Sequence, residues 1–263
     1  MEGRSDLEKK SVLKRSANLV ILNFSGVYET QEFYKKYEFI WLDNRDIPGT
    51  NCYCDEDAET EIRKRIREMG PGGIHFLDSG NYHYVSKIWL EMVKGDFELL
   101  VFDHHTDMQM PMFGDILSCG GWIRKALDSN PGLKRVWLAG PPQEAAGGSE
   151  VQEYGSRVVW MDEEMLGKRD AFRAYLNRSE LPLYISVDKD VLDPFWATTN
   201  WDQGNARLTD IVDCLRDACS LRNVIGVDIC GENPEEMESR EDAGAGRNDR
   251  TNGEILEALL TYV

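Results

Sequence analysis

The stretch Phe97-Glu-Leu-Leu-Val-Phe102, followed at once by Asp103-His-His-Thr-Asp107, decides how the rest of the chain is read. Its first six residues form an apolar run whose residue types suit a strand covered on both faces. Side chains alternate along an extended chain, so Asp103, His105 and Asp107 point to one side if the extension continues past Phe102. Two carboxylates and an imidazole then converge at the carboxyl end of a buried strand, which is a metal-ligand pattern. Taken alone, the cluster reads equally well as a solvated Asp/His loop.

A second stretch repeats the arrangement. In Ile185-Ser-Val-Asp-Lys-Asp-Val-Leu-Asp-Pro194 an apolar strand runs out into Asp188 and Asp190, again two apart, with Lys189 facing the other way. Asp193-Pro194 then turns the chain. Like charges brought together at two strand ends repel unless a cation sits between them. The pair of motifs therefore argues for metal binding more strongly than either does alone.

Outward from these stretches, short apolar runs alternate with amphipathic segments. Leu19–Phe24, Phe39–Leu42, Ile74–Leu77, Phe97–Phe102, Arg135–Ala139, Arg157–Trp160, Leu183–Val187 and Val224–Asp228 read as strands. Helical spacing appears over Asp55–Met69, Tyr84–Val93, Trp122–Leu127, Asp162–Asn177, Leu208–Cys219 and Asn252–Tyr262. Pro141–Gly155 reads as an irregular excursion. Glu232–Arg250, acidic and glycine-containing with no apolar periodicity, reads as a loop. The alternation predicts a three-layer α/β/α fold with a central parallel sheet, in one domain spanning residues 1–263, its site at the carboxyl ends of the strands.

Bulk composition narrows the partners. Thirty Lys and Arg against 47 Asp and Glu leave a formal charge of −17, which disfavours nucleic acid and anionic membrane surfaces and suits cationic substrates or metal ions. No apolar run approaches the ~20 residues of a membrane span, and the charged segment Met1–Lys10 leads into no signal-peptide core. A cytoplasmic protein is expected. The six cysteines contain no C-x-x-C pair and read as reduced thiols. Cys52-Tyr-Cys54 lacks a second pair at zinc-finger spacing and reads as structural.

Asp-x-His-x-Asp at 103–107 followed by Ser-x-Asp-x-Asp-x-x-Asp-Pro at 186–194 resembles the ureohydrolase family of arginase, agmatinase and formiminoglutamase. Ser79-Gly-Asn-Tyr-His-Tyr-Val-Ser86 resembles the family's third element, a glycine-rich turn ending in a ligand histidine. The likeness runs from about Gly73 to Pro234. It implies an arginase-like fold and two Mn2+ ions bridged by a hydroxide that attacks an amidine-like carbon. One ion would take His83, Asp103, Asp107 and Asp188, the other Asp103, His105, Asp188 and Asp190. A hard, oxygen-rich shell suits manganese better than zinc. His75 is the fallback ligand should His83 not serve, and His104 alternates away from the ligand side. The resemblance also implies a homo-oligomer, a trimer or hexamer, and a small cationic or amidine substrate chosen by loops at Asn23–Tyr28, Gly49–Cys54, Met108–Gly121, Phe195–Gly204 and Glu232–Arg250.

Three positions depart from the family pattern. Tyr82 precedes His83 where an aspartate is usual. In Ser118-Cys-Gly-Gly-Trp-Ile-Arg-Lys-Ala126, Cys119 stands where agmatinase-type enzymes carry a proton-shuttling histidine; it reads either as a catalytic proton donor or as a small buried thiol. In Val227-Asp-Ile-Cys-Gly-Glu-Asn-Pro234, Glu232 falls one position later than the family's substrate-binding glutamate relative to Asp228, and would have to reach the substrate through a bulge. Two other functions remain open at this point: a deacetylase-like amidohydrolase with a single zinc, and a metal-binding module without turnover.

Overall fold

All eight anticipated strands form, because each is a short run of β-branched and aromatic residues that can be covered on both faces. In the computed structural model, which describes residues 18–111, 114–237 and 243–262, they are β1 (Leu19–Asn23), β2 (Ile40–Asp43), β4 (Ile74–Phe76), β5 (Phe97–Phe102), β7 (Leu133–Ala139), β8 (Val158–Met161), β9 (Leu183–Asp188) and β10 (Val224–Cys230). They make one sheet in the order β2-β1-β4-β10-β9-β5-β7-β8, and every pairing is parallel. A separate antiparallel ribbon joins β3 (Tyr53–Cys54) to β6 (Leu117–Ser118).

Strand alternation divides the core in two. Leu100 and Phe102 of β5 face a layer with Phe172, Leu208, Ile211, Leu215, Ile255 and Leu259. Leu99 and Val101 face the opposite layer, with Ile62, Ile66, Ile88, Trp89, Trp122 and Ile123. The first layer belongs to α6 (Arg169–Leu176), α7 (Leu208–Leu221) and α8 (Ala243–Leu259), the second to α1 (Glu56–Ile66), α2 (Val85–Leu90) and α3 (Trp122–Ser129). Two minor helices, α4 (Ser149–Gln152) and α5 (Glu163–Leu166), complete the set. This is the expected three-layer α/β/α arrangement. No helix among the described residues is long and apolar enough to cross a membrane, and all six cysteines are free thiols.

Asp55 starts α1 by accepting a hydrogen bond from the Ala58 amide at 2.8 Å, with Glu56, Asp57 and Glu59 in the first turn facing the positive end of the helix dipole. Asp55→Ala is expected to cost about 1 kcal/mol, read as a lower denaturation midpoint with unchanged slope.

Two expectations need correction. The charged segment Asp162–Asn177 is two helices, α5 and α6, separated at Gly167-Lys168. The segment Glu232–Arg250 is not a loop throughout: a 3-10 turn covers Pro234–Met237 and α8 begins at Ala243, while residues 238–242 lie outside the described set. The expected closing helix, Asn252–Tyr262, thus starts nine residues earlier, and its first turns escaped notice because part of their buried face is polar. Asn248, Thr251 and Asn252 are all buried, so apolar periodicity does not mark that face.

Candidate metal centre

Parallel register brings the carboxyl ends of β5, β9 and β10 side by side. Phe102 pairs with Val187, and Cys230 with Asp188, so Asp103 and Asp188 emerge next to each other. Beyond β5 the chain does not stay extended, contrary to expectation. Asp103 accepts the His105 amide at 2.6 Å, and Asp107 takes a left-handed φ of 48°. A turn, rather than simple alternation, aims Asp103, His105 and Asp107 at the same point. After β9 a 3-10 turn does the same work, with Asp188 accepting the Asp190 amide at 3.0 Å.

The fourth contributor arrives from the other layer. Ser79-Gly80-Asn81-Tyr82 forms a 3-10 turn that ends at His83, just before α2. Gly80 is required by crowding: a Cβ there would lie 2.9 Å from both Asp188 Oδ2 and the Trp201 ring. Ser186 Oγ lies 2.8 Å from His83 Nε2, which turns Nδ1 toward the carboxylates. Nδ1 stands 3.0 Å from Asp107, 3.3 Å from Asp103 and 3.5 Å from Asp188. On the other side of Asp103, His105 Nδ1 lies 2.9 Å from Asp190 and 3.5 Å from Asp103.

All six side chains singled out as ligands therefore meet. They fall into donor groups that could each hold an ion: His83, Asp103 and Asp107 in one, Asp103, His105 and Asp190 in another, with Asp103 common to both. Asp188 gathers with His83 and a residue that sequence reasoning had set aside, Cys230. The arrangement fits metal ions on two further grounds. His83 Nδ1 and Asp103 Oδ2 are buried without a hydrogen-bond partner among the described residues, a costly state unless something else satisfies them. Neighbouring ligands around one divalent ion also lie about 3 Å apart, the separation found here.

The electrostatics agree. Burial and the neighbouring Asp103 charge push the Asp107 carboxyl up to about 7. Burial, Asp188 and Asp103 raise Asp190 well above the usual carboxylate range, and burial with Asp103 raises Asp188. Burial opposes a charge on His105, but hydrogen bonds to Asp103 and Asp190 raise it to about 11. Divalent cations would relieve the carboxylate repulsion that produces the upward shifts.

Other expected residues are placed as follows. Cys119 lines the cavity of about 220 Å3 above the cluster, together with Asp103, His105, Asp107, Asp188, Asp190 and Trp201. Burial, then the Asp107 charge, raises its thiol far above the ordinary range, so it stays protonated. Of the five loops expected over the site, three contribute lining, through Cys52, Tyr53, Gln109, Ser118 and Trp201. Residues 112–113 of the third lie outside the described set. Tyr82 stacks on Phe24 at 4.2 Å. His75 is far from the cluster, held against Asp228 at 2.8 Å and stacked on Trp89.

Glu232 does not line the cavity. It is fully buried; one oxygen meets Lys189 Nζ and accepts from Asn252 at 2.7 Å, and the other accepts from Gln31 at 2.8 Å and Asn248 at 3.0 Å. The position where the family pattern places its glutamate is Gly231, at φ 92°, where a Cβ would lie 2.5 Å from Asp188 Oδ1. No side chain fits there without displacing Asp188. Sequence reasoning also passed over Trp122, whose Nε1–H donates to Asp107 at 2.6 Å, and Ser186. The serine stood in the quoted motif; nothing local marked the tryptophan.

The model of the arginase family matches residues 25–247. The chain belongs to the arginase family. An uncharacterized protein of Thermotoga maritima is 31% identical over 247 residues, covering 91% of this chain and 88% of its own. Among solved structures, the fold is shared with proclavaminate amidino hydrolase of Streptomyces clavuligerus (TM-score 0.68, 15% identity, 95% of this chain and 94% of that one). It is shared too with formimidoylglutamase of Bacillus subtilis (0.67, 13%, 98% and 94%). A Trypanosoma cruzi formiminoglutamase variant with Mn2+ is similar to the same degree (0.69, 13%, 96% and 97%). This arginase-family chain thus keeps the fold and a cluster of candidate metal-binding residues, and differs from the family pattern at Tyr82, Cys119 and Gly231.

Proposed function

We propose that the chain is a hydrolase of a non-peptide carbon–nitrogen bond in a small guanidino or linear-amidine compound, dependent on two manganese ions. The single observation that carries this reading is the pair of donor groups sharing Asp103 on the floor of a small cavity. Its family membership and the names of its structural neighbours, an amidino hydrolase and formimidoylglutamase among them, support the reaction class. His83, Asp103, Asp107 and Asp188 would hold one ion; Asp103, His105, Asp188 and Asp190 would hold the other. Bound there, the ions supply a water acidic enough to be a nucleophile at neutral pH.

The chain's own residues do the rest. Ser186 fixes the His83 ring and Trp122 fixes Asp107, so the donors are oriented before any ion arrives. Trp201 and Tyr53 wall the cavity and give a planar amidinium faces to pack on. Cys119, kept protonated by burial, faces the cavity and is the thiol that gives a proton to the departing amine. Cys119→Ala is expected to lower turnover about 100-fold or more, the ordinary range for a lost general acid, while Cys119→Ser keeps a donor and recovers part of the rate. Unchanged turnover in Cys119→Ala on a proven substrate ends this assignment.

The substrate is found by screening guanidino and amidine compounds for release of urea, ammonia or formamide. Release from at least one of them is expected. A chain that binds its ions and releases nothing from the whole panel is instead a metal-binding module, the reading that Cys119 and Gly231 favour. A single zinc of deacetylase type would need only one donor group, leaving the second without a purpose.

A further inference from the structure

We propose that Cys230 is a sulfur ligand to the ion position formed by His83, Asp103, Asp107 and Asp188, and that its sulfur makes this position more receptive to thiophilic divalent ions, cobalt or zinc, than the neighbouring position built from oxygen and nitrogen alone. The inference rests on the two-ion reading above and refines one of its two positions.

The strand register places the thiol. Cys230 ends β10 directly opposite Asp188, which ends β9, and paired residues of parallel strands project to the same side of the sheet. Immediately after it, Gly231 turns the chain back against Asp188 and Lys189, so Cys230 is the last side chain of β10 to face the cluster. Its side chain is 1% exposed. Sγ lies 3.1 Å from Asp188 Oδ2, and Sγ, the carboxylate oxygen and a His83 ring nitrogen all lie within 4.8 Å of one another. One ion with bonds of about 2.1 Å to nitrogen or oxygen and about 2.3 Å to sulfur spans such a set.

An independent observation points to a ligand at the same place. His83 Nδ1, on a side chain 1% exposed, has no hydrogen-bond partner among the described residues, although three carboxylates and the thiol surround it. A buried ring nitrogen crowded by these groups and left without a hydrogen bond is placed for an ion that they share. Without an ion the Cys230 thiol donates to Asp188 Oδ2, a bond that coordination would replace. Coordination displaces the thiol proton to solvent and leaves a thiolate whose charge the ion balances. Sulfur favours softer ions, so the preference falls away from manganese. Cys119, the other thiol near the site, lines the cavity but joins none of the donor groups.

The test uses the whole chain, stripped of metal and reloaded with Co2+ under argon. Wild-type protein is expected to show a near-ultraviolet sulfur-to-cobalt charge-transfer band that Cys119→Ser retains and Cys230→Ser loses. In competition, Cys230→Ser should lose about tenfold or more of the wild-type preference for Zn2+ over Mn2+, the scale of affinity change that ligand-shell alterations bring. Wild-type protein carrying bound cobalt without the band overturns the assignment and leaves the two-ion reading intact. So does a band that disappears in Cys119→Ser and survives in Cys230→Ser. A chain that takes up no divalent ion at all removes the two-ion reading, and this inference with it.

Discussion

Asp103→Ala is expected to leave the purified chain with less than one bound divalent ion and to abolish measurable turnover. Asp103 is the residue common to both donor groups, so its loss removes a ligand from each ion position at once. It also shapes the turn that follows β5, through its hydrogen bond from the His105 amide. Losing an outer-shell partner costs about 10–100-fold in metal affinity or activity, and the loss of a shared inner ligand should exceed that at both positions. Asp103→Asn separates the two roles, because the amide oxygen can still accept from His105 while the charge is gone. Bound metal measured by mass spectrometry decides the matter. An Asp103→Asn chain that keeps two ions would show that Asp103 shapes the loop and binds nothing.

Glu232→Ala is expected to destabilise the fold by about 3–5 kcal/mol, the cost of leaving a buried ammonium without its partner. Lys189 is fully buried between Asp188 and Asp190 in sequence, and its Nζ contacts Glu232 and Asn252. With Glu232 gone, Lys189 loses its counter-ion, and Gln31, Asn248 and Asn252 lose the acceptor around which they are arranged. Glu232→Leu combined with Lys189→Met should recover much of the loss, since exchanging both members of a buried pair for apolar groups is often neutral or better. Chemical denaturation of the single and double variants measures this. The family pattern would instead make Glu232 a substrate contact. Full stability combined with a raised KM in Glu232→Ala would favour that role and remove the structural one.

Much of this molecule can be read from its sequence because the decisive residues announce themselves locally. Strands such as Phe97–Phe102 are apolar but for single residues such as Glu98, since the inner strands of a parallel sheet are covered on both faces, and the eight are visible as short, mainly apolar runs. Asp103, His105, Asp107, Asp188 and Asp190 are legible because unpaired acids directly after buried strands are hard to explain otherwise. What stayed hidden depends on contacts between distant segments. α8 buries Asn248, Thr251 and Asn252 rather than aliphatic residues, so its hydrophobic pattern is interrupted where it packs. Glu232 sits beside Asn233-Pro234 whichever way its side chain turns, and only the buried Lys189 determines that it turns inward. Cys230 carries no local mark at all. Its proximity to His83 comes from the register of β10 on β9 together with a turn that precedes α2. Gly231 was visible as the residue where the glutamate was due, but its crowding against Asp188 is a tertiary fact.

The most direct test of the central claim is a titration of the metal-stripped chain with Mn2+, following release of urea, ammonia or formamide from the guanidino and amidine panel as equivalents are added. Product formation is predicted to be absent without metal, to rise as ions bind, and to level off at two equivalents per chain. A plateau at one equivalent, or no release from any compound with both positions filled, would contradict the assignment of this chain as a two-metal carbon–nitrogen hydrolase.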